Sequence, residues 1–235
     1  MSTSSSRPLN NKTPFRPLYY VAWIPLTAFM LFLCRRRVVR EVSPLPRAPV
    51  MVVANHMSHF DIISLALATY PLRLSFMAKE ELFRTWFLRN LFLRLGSFPV
   101  RRGHADRHAL RKAEEVIKTS WALAVFPEGT RSPEASLIRA HPGPALIALR
   151  NDLLILPVGI SGTDKIKEKR KGLKKLLFHR PQVTIHIGKP FKLSYPEGKL
   201  TREQLQDCAD NIMGHVAELL PEHYRGVYGE TQTVT

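Results

Sequence analysis

A histidine and an aspartate, His56 and Asp61, stand five positions apart between two apolar runs, residues 49–54 and 62–67. Imidazole is the side chain suited to proton transfer near neutral pH. A carboxylate beside it can fix its tautomer and steady its protonated form. On a continuous helix, five positions would separate the two side chains by about 140°, and they would not meet. They meet if His56 lies in the turn before the helix. Ser58 and Asp61 fit Ser-x-x-Asp, an N-terminal capping box, which puts Asp61 in the first helical turn and His56 just ahead of it. The same spacing fits a capped helix preceded by an ordinary polar loop histidine, so spacing alone leaves both readings standing. His59 is the rival base, but it lies two residues from Asp61, within the same turn.

A second stretch with chemical potential is Phe126-Pro127-Glu128-Gly129-Thr130-Arg131-Ser132. It follows a buried-type run, residues 121–126. Proline and glycine impose a turn, and glycine lets backbone amides approach a ligand closely. Arg131 beside it could hold a phosphate in fork geometry. In isolation the stretch is equally a polar turn.

The elements that must position these residues read as alternating strand and helix. Strands are expected at residues 49–54, 74–78, 97–100, 121–126, 153–160 and 183–187, and helices at 62–70, 82–95, 109–117 and 144–150. The last helix opens at Thr201 with a capping box to Gln204. Such alternation indicates an α/β domain with a mixed, largely parallel sheet flanked by helices. Residues 41–228 would form it, with a tail at 229–235. The chain of 235 residues is long enough for one core and an appendage.

Ahead of that domain, residues 1–13 are polar, serine-rich and expected to be disordered. Residues 18–34 carry no charge, and Arg35, Arg36, Arg37 and Arg40 follow at once. Seventeen helical residues span roughly 26 Å, slightly short of the hydrocarbon thickness of a bilayer. Residues 14–40 are therefore read as an N-terminal membrane-anchoring helix with a basic flank, spanning or embedded in one leaflet. The denser arginines after it favour a main domain on the cytoplasmic face. A buried helix of a soluble core is the competing reading. The net charge of +16 points to an anionic partner. The two cysteines, Cys34 and Cys208, have no metal-ligand spacing and make no disulfide framework. No nucleic-acid-binding motif accompanies the charge.

Together these stretches resemble the glycerolipid acyltransferase family that includes the 1-acyl-sn-glycerol-3-phosphate acyltransferases. His56 to Asp61 is similar to its His-x4-Asp motif, and Phe126 to Ser132 to its Phe-Pro-Glu-Gly-Thr-Arg-Ser motif. Between them, Lys79-Glu80-Glu81-Leu82 and Gly96 to Arg102 resemble two further segments, and Leu156 to Ile160 a fourth, proline-centred block. The end of the chain, Leu219-Leu220-Pro221 with Tyr224-Arg225-Gly226, is also family-like. The resemblance covers residues 45–228. Three positions depart from it: Arg101 stands where many members have aspartate, His141 where lysine is commoner, and Ala135 near a usual glycine.

The resemblance implies transfer of a fatty acyl chain from acyl-CoA or acyl-carrier protein to the sn-2 hydroxyl of 1-acyl-sn-glycerol 3-phosphate, giving phosphatidic acid. His56 would be the base and Asp61 its partner, with no cofactor, metal or acyl-enzyme. Lys79, Arg102 and Arg131 would surround the acceptor phosphate. Glu128, Gly129 and Thr130 would shape the acceptor pocket, and Pro157 would help to pack it. Membrane lipids would be partners, and nucleic acid would not. Other readings are acylation of another lysophospholipid or a lipid-linked amine, a lipid hydrolase using Ser58, or a non-catalytic lipid-binding protein. Ser58 lacks the Gly-x-Ser-x-Gly turn that exposes a nucleophilic serine. The lysine-rich run at 165–175 lies outside these motifs. It suits anionic headgroups, the phosphates of coenzyme A, an acidic carrier protein, or no partner beyond solvent.

Overall fold

The computed structural model describes residues 16–80, 84–86, 89, 97–100, 107–168, 180–194 and 200–229. Helix α1 (Arg16–Leu33) leads into strand β1 (Arg35–Arg40), followed by β2 (Val50–Ala54), α2 (Phe60–Ala68), β3 (Leu74–Lys79) and β4 (Phe98–Val100). Then come α3 (Arg107–Ile117), β5 (Ala122–Val125), α4 (Gly143–Arg150), β6 (Leu154–Ser161), the short α5 (Lys165–Glu168), β7 (Gln182–Ile187) and α6 (Arg202–Glu218). Two 3₁₀ turns, Glu222–Tyr224 and Gly226–Tyr228, close the described chain.

Among the described residues, seven strands make one sheet in the order β1-β7-β6-β2-β5-β3-β4. Only the β6–β7 pairing is antiparallel, so β6, β2, β5, β3 and β4 all point the same way. The central strands β2 and β5 are buried along their whole length, as strands covered on both faces must be. Alternation divides their side chains. Met51, Val53, Leu123 and Val125 face a core shared with α3, α4 and α6. Val50, Val52, Ala54, Ala122 and Ala124 face a second core shared with α2 and the end of α1. The expected α/β architecture is thus present as helix, sheet and helix layers.

The N-terminal region departs from expectation in its basic flank and in the option of a spanning helix. No helix among the described residues is long and apolar enough to cross a membrane. Helix α1 contains Pro25, whose missing N–H breaks the ladder bond of a helix interior. Its end is tied to the globular fold. Met30 is fully buried, and Ile24, Phe29, Leu31 and Phe32 stay exposed. Arg35 to Arg40, read as the basic flank of an anchor, instead form β1, paired in register with β7 from Arg35↔Gln182 to Arg40↔Ile187. Exposed arginines on this sheet edge discourage pairing with another chain. The helix expected at 62–70 starts earlier, at Phe60. The capping box at Thr201 is present in both halves: the Thr201 hydroxyl accepts from the Gln204 amide, and the Gln204 side chain from the Thr201 amide. Residues 1–13, most of the helix expected at 82–95, and the larger part of the 165–175 run lie outside the described residues.

The crossover from β6 to α5 has one position that only glycine suits. Gly162 has φ +86°, and a Cβ there would lie 2.1 Å from the carbonyl oxygen of Gln182. Gly162→Ala should therefore lower the unfolding free energy by more than about 2 kcal/mol, since left-handed strain and steric overlap add. Urea denaturation of the two proteins measures it.

Candidate active site

Ligands of open α/β sheets bind outside the C-terminal ends of the strands, and the parallel strands β2 and β5 end side by side there. Asn55 and His56 leave β2 there. Asn55 is buried and bonded to β6, donating from Nδ2 to the Ile160 carbonyl (2.8 Å) and accepting the Ile160 N–H (2.7 Å). This extends the β2–β6 ladder by side chain and sets the exit angle of the chain toward His56.

Asp61 is fully buried in the first turn of α2. Its Oδ2 lies 3.0 Å from His56 Nδ1 and accepts the Met57 and Ser58 amides, each at 2.6 Å. Its Oδ1 accepts the Thr163 hydroxyl at 2.5 Å. A carboxylate accepting four donors leaves Nδ1 of His56 as the protonated nitrogen and Nε2 as the basic one, an assignment made from the hydrogen bonds. The ring of His56 stacks on Phe126 at 4.2 Å and 17°. Its side chain is 11 % exposed, so the site is reachable but mostly dry.

The turn after β5 holds the same histidine by its backbone. Glu128 is buried; its Oε1 accepts the His56 N–H (2.7 Å) and its Oε2 the Ile138 N–H (3.2 Å). The Ser132 N–H donates to the His56 carbonyl at 2.8 Å. Gly129 has φ +67°, and a Cβ there would lie 2.7 Å from the His141 ring. Burial raises the Glu128 pKa to about 7; the two amides oppose the rise, and the nearby Asp61 charge adds to it.

Residues 36–161 match the family described as Acyltransferase. The chain belongs to this acyltransferase family. It is 26% identical over 169 residues to the 1-acyl-sn-glycerol-3-phosphate acyltransferase of Bacillus subtilis, covering 72% of this chain and 80% of that one. It is 36% identical over 125 residues to the lyso-ornithine lipid O-acyltransferase of Pseudomonas aeruginosa, covering 52% of this chain and 47% of that one. The crystal structure of the 1-acyl-sn-glycerophosphate acyltransferase PlsC from Thermotoga maritima superposes with a TM-score of 0.62 at 27% identity, covering 87% and 79% of the two chains.

In this acyltransferase the structure brings His56, Asp61, Glu128 and Gly129 together. Thr130 and Arg131 are exposed on the same turn. Lys79 closes β3, a strand that ends at the same edge of the sheet. Arg102 lies outside the described residues. Pro157 sits within β6, opposite Val53. It lines a cavity of about 270 Å³ with Gly188, Phe191, His215 and Leu219, and His56 is not among the lining residues. The capping box at Ser58 is half made: Asp61 accepts the Ser58 amide, but the Ser58 hydroxyl lies 3.4 Å from the Phe60 amide, and the helix starts after His59. Ser58 is itself fully buried. Sequence reasoning passed over Thr163 and Asn55. Thr163 lies 102 positions from Asp61, and the only local hint is the glycine that precedes it.

The folded Glu128 pKa lies above its unfolded value of 4.5. Its contribution to stability is therefore full below pH 4.5 and lost as pH rises through about 7. Glu128→Gln carries no such proton. Between those pH values the unfolding free energy of the wild type should fall relative to that of the variant. Denaturation of both proteins across the pH series checks this, and parallel curves would contradict it.

Proposed function

We propose that this protein transfers a fatty acyl chain from a thioester donor, acyl-CoA or acyl-carrier protein, to the sn-2 hydroxyl of lysophosphatidic acid, producing phosphatidic acid. The observation that carries the reading is the buried His56–Asp61 pair, with Nδ1 committed to the carboxylate and Nε2 left basic. The B. subtilis and T. maritima relatives, named for this activity, support the choice of acceptor.

A glycerol hydroxyl is a poor nucleophile while protonated. His56 Nε2 takes its proton as the oxygen attacks the thioester carbonyl, and Asp61 stabilises the imidazolium that forms. The tetrahedral intermediate collapses with cleavage of the C–S bond, and the departing thiolate receives the proton from His56. The acyl group passes directly between the two substrates, so the protein needs no nucleophile of its own. Ser58 is enclosed and has no exposed turn, which weighs against a serine hydrolase. Arg131, Lys79 and Arg102 are proposed to receive the acceptor phosphate, with Thr130 beside them. Glu128 and Gly129 would set the shape of the turn rather than touch the lipid, because both Glu128 oxygens are already spent on backbone amides. The exposed apolar residues of α1 and the arginines that follow them support attachment to the surface of a membrane rather than passage through it. The catalytic domain would face the cytoplasm.

Purified protein in detergent, given acyl-CoA and a panel of lysolipids, tests the assignment by thiol release. Lysophosphatidic acid should be the preferred acceptor. His56→Ala should reduce turnover by at least about a hundredfold, whereas Ser58→Ala should retain much of it. Turnover with a non-phosphate acceptor such as a lyso-ornithine lipid, with lysophosphatidic acid inert, would contradict the assignment. A trapped acyl-serine would favour the hydrolase.

A further inference from the structure

We propose that the C-terminal segment, residues 221–229, is a clasp that positions the His56–Asp61 pair; this rests on the reading of that pair as catalytic. The segment reaches the pair by two separate routes, each made of polar contacts.

The first route runs through Leu137. The Leu137 N–H donates to the Tyr224 carbonyl (2.9 Å), and the Leu137 carbonyl accepts the Val227 N–H (3.2 Å). Both backbone groups of Leu137 are thus taken by the segment. Gly226 lies against the same residue with φ +50°, where a Cβ would be 2.1 Å from the Leu137 oxygen. The backbones meet this closely only because position 226 has no side chain. The next residue, Ile138, donates to Glu128, and Glu128 accepts the His56 amide. The backbone position of His56 is therefore tied to where the clasp holds Leu137.

The second route runs through the Tyr224 side chain. Tyr224 is buried, and its hydroxyl donates to Asp164 Oδ1 at 3.0 Å. Asp164 follows Thr163 directly, and the Thr163 hydroxyl donates to Asp61. Tyr228 anchors the far end of the segment. Its hydroxyl donates to Asp210 of α6 (2.8 Å) and accepts the Ala140 N–H (3.0 Å). Apolar packing alone would cover the core at this place. The spending of two tyrosine hydroxyls and both backbone groups of Leu137 fixes direction and register, which cover does not require.

Tyr224→Phe keeps the ring and removes only the hydroxyl. It should lower kcat about tenfold, because small misplacements of a catalytic group are costly. KM for both substrates should stay within about twofold, since the groups proposed to bind the substrates are untouched. The downfield Nδ1 proton of His56, assigned by its absence in His56→Ala, should shift or broaden in the NMR spectrum of Tyr224→Phe. Gly226→Ala should show a larger loss of kcat; should it fail to fold, Tyr224→Phe decides alone. Wild-type kcat with an unshifted His56 proton overturns the clasp, as does a raised KM with kcat unchanged. Full activity of His56→Ala instead overturns the catalytic reading of the pair, while the proton resonance still reports on the clasp.

Discussion

A single buried carboxylate organises the site. Asp61 receives the His56 ring, two backbone amides of the turn before α2, and the Thr163 hydroxyl from across the sheet. An isolated carboxylate in such a place would be strongly disfavoured; four donors compensate its desolvation. The compensation works only while all four donors stay in place. The turn from Asn55 to Phe60 is thereby closed around Asp61, the helix start is fixed, and His56 keeps one tautomer. The chemistry follows from that arrangement, since a histidine whose Nδ1–H is committed to a carboxylate offers Nε2 as a base of settled direction.

The backbone of His56 is fixed as firmly as its ring. Its N–H goes to Glu128 and its carbonyl receives the Ser132 amide. The two motif stretches, 72 positions apart, therefore act as one structural unit at the ends of neighbouring strands. Proline, glutamate and glycine in the turn have distinct tasks. Pro127 accepts the His141 amide through its carbonyl, Glu128 bridges two loops, and Gly129 makes room for the His141 ring. Thr130 and Arg131 remain facing solvent. The exposed side chains of this turn are thus the ones open to contact, and its buried carboxyl holds the backbone of the histidine.

The sheet was legible because its central strands are continuous apolar runs bounded by turn residues, as in residues 49–54 and 121–126. The pairing of His56 with Asp61 was legible as a possibility, since Ser58 and Asp61 mark a helix start. It became more than that when a second motif appeared at the right distance. Strand β1 was not legible. Its sequence, Arg-Arg-Arg-Val-Val-Arg, reads as a charged flank because an edge strand half exposed to solvent lacks the apolar signature of a central one. Whether residues 18–34 span was not legible for a complementary reason: an uncharged run of apolar residues looks alike whether it crosses a bilayer, lies in one leaflet or lays one side on a core, and the described helix is not long and apolar enough to cross. The role of Glu128 was also hidden. The resemblance assigned it to the acceptor pocket, and only the fold shows that both oxygens face backbone amides. Thr163 was invisible for lack of any local pattern; a hydroxyl that meets a carboxylate 102 positions away is a property of topology, not of sequence spacing.

In the proposed reaction the Asp61 carboxylate makes His56 the base for acyl transfer. Asp61→Asn tests it most directly, because the amide keeps the size of the side chain and removes acceptor capacity and charge. The rate of thiol release from acyl-CoA in the presence of lysophosphatidic acid should be measured for folded variant and wild type. If His56 is the base and Asp61 its partner, the rate falls by at least about a hundredfold with acceptor binding retained. A variant that turns over within a few-fold of the wild type would contradict it.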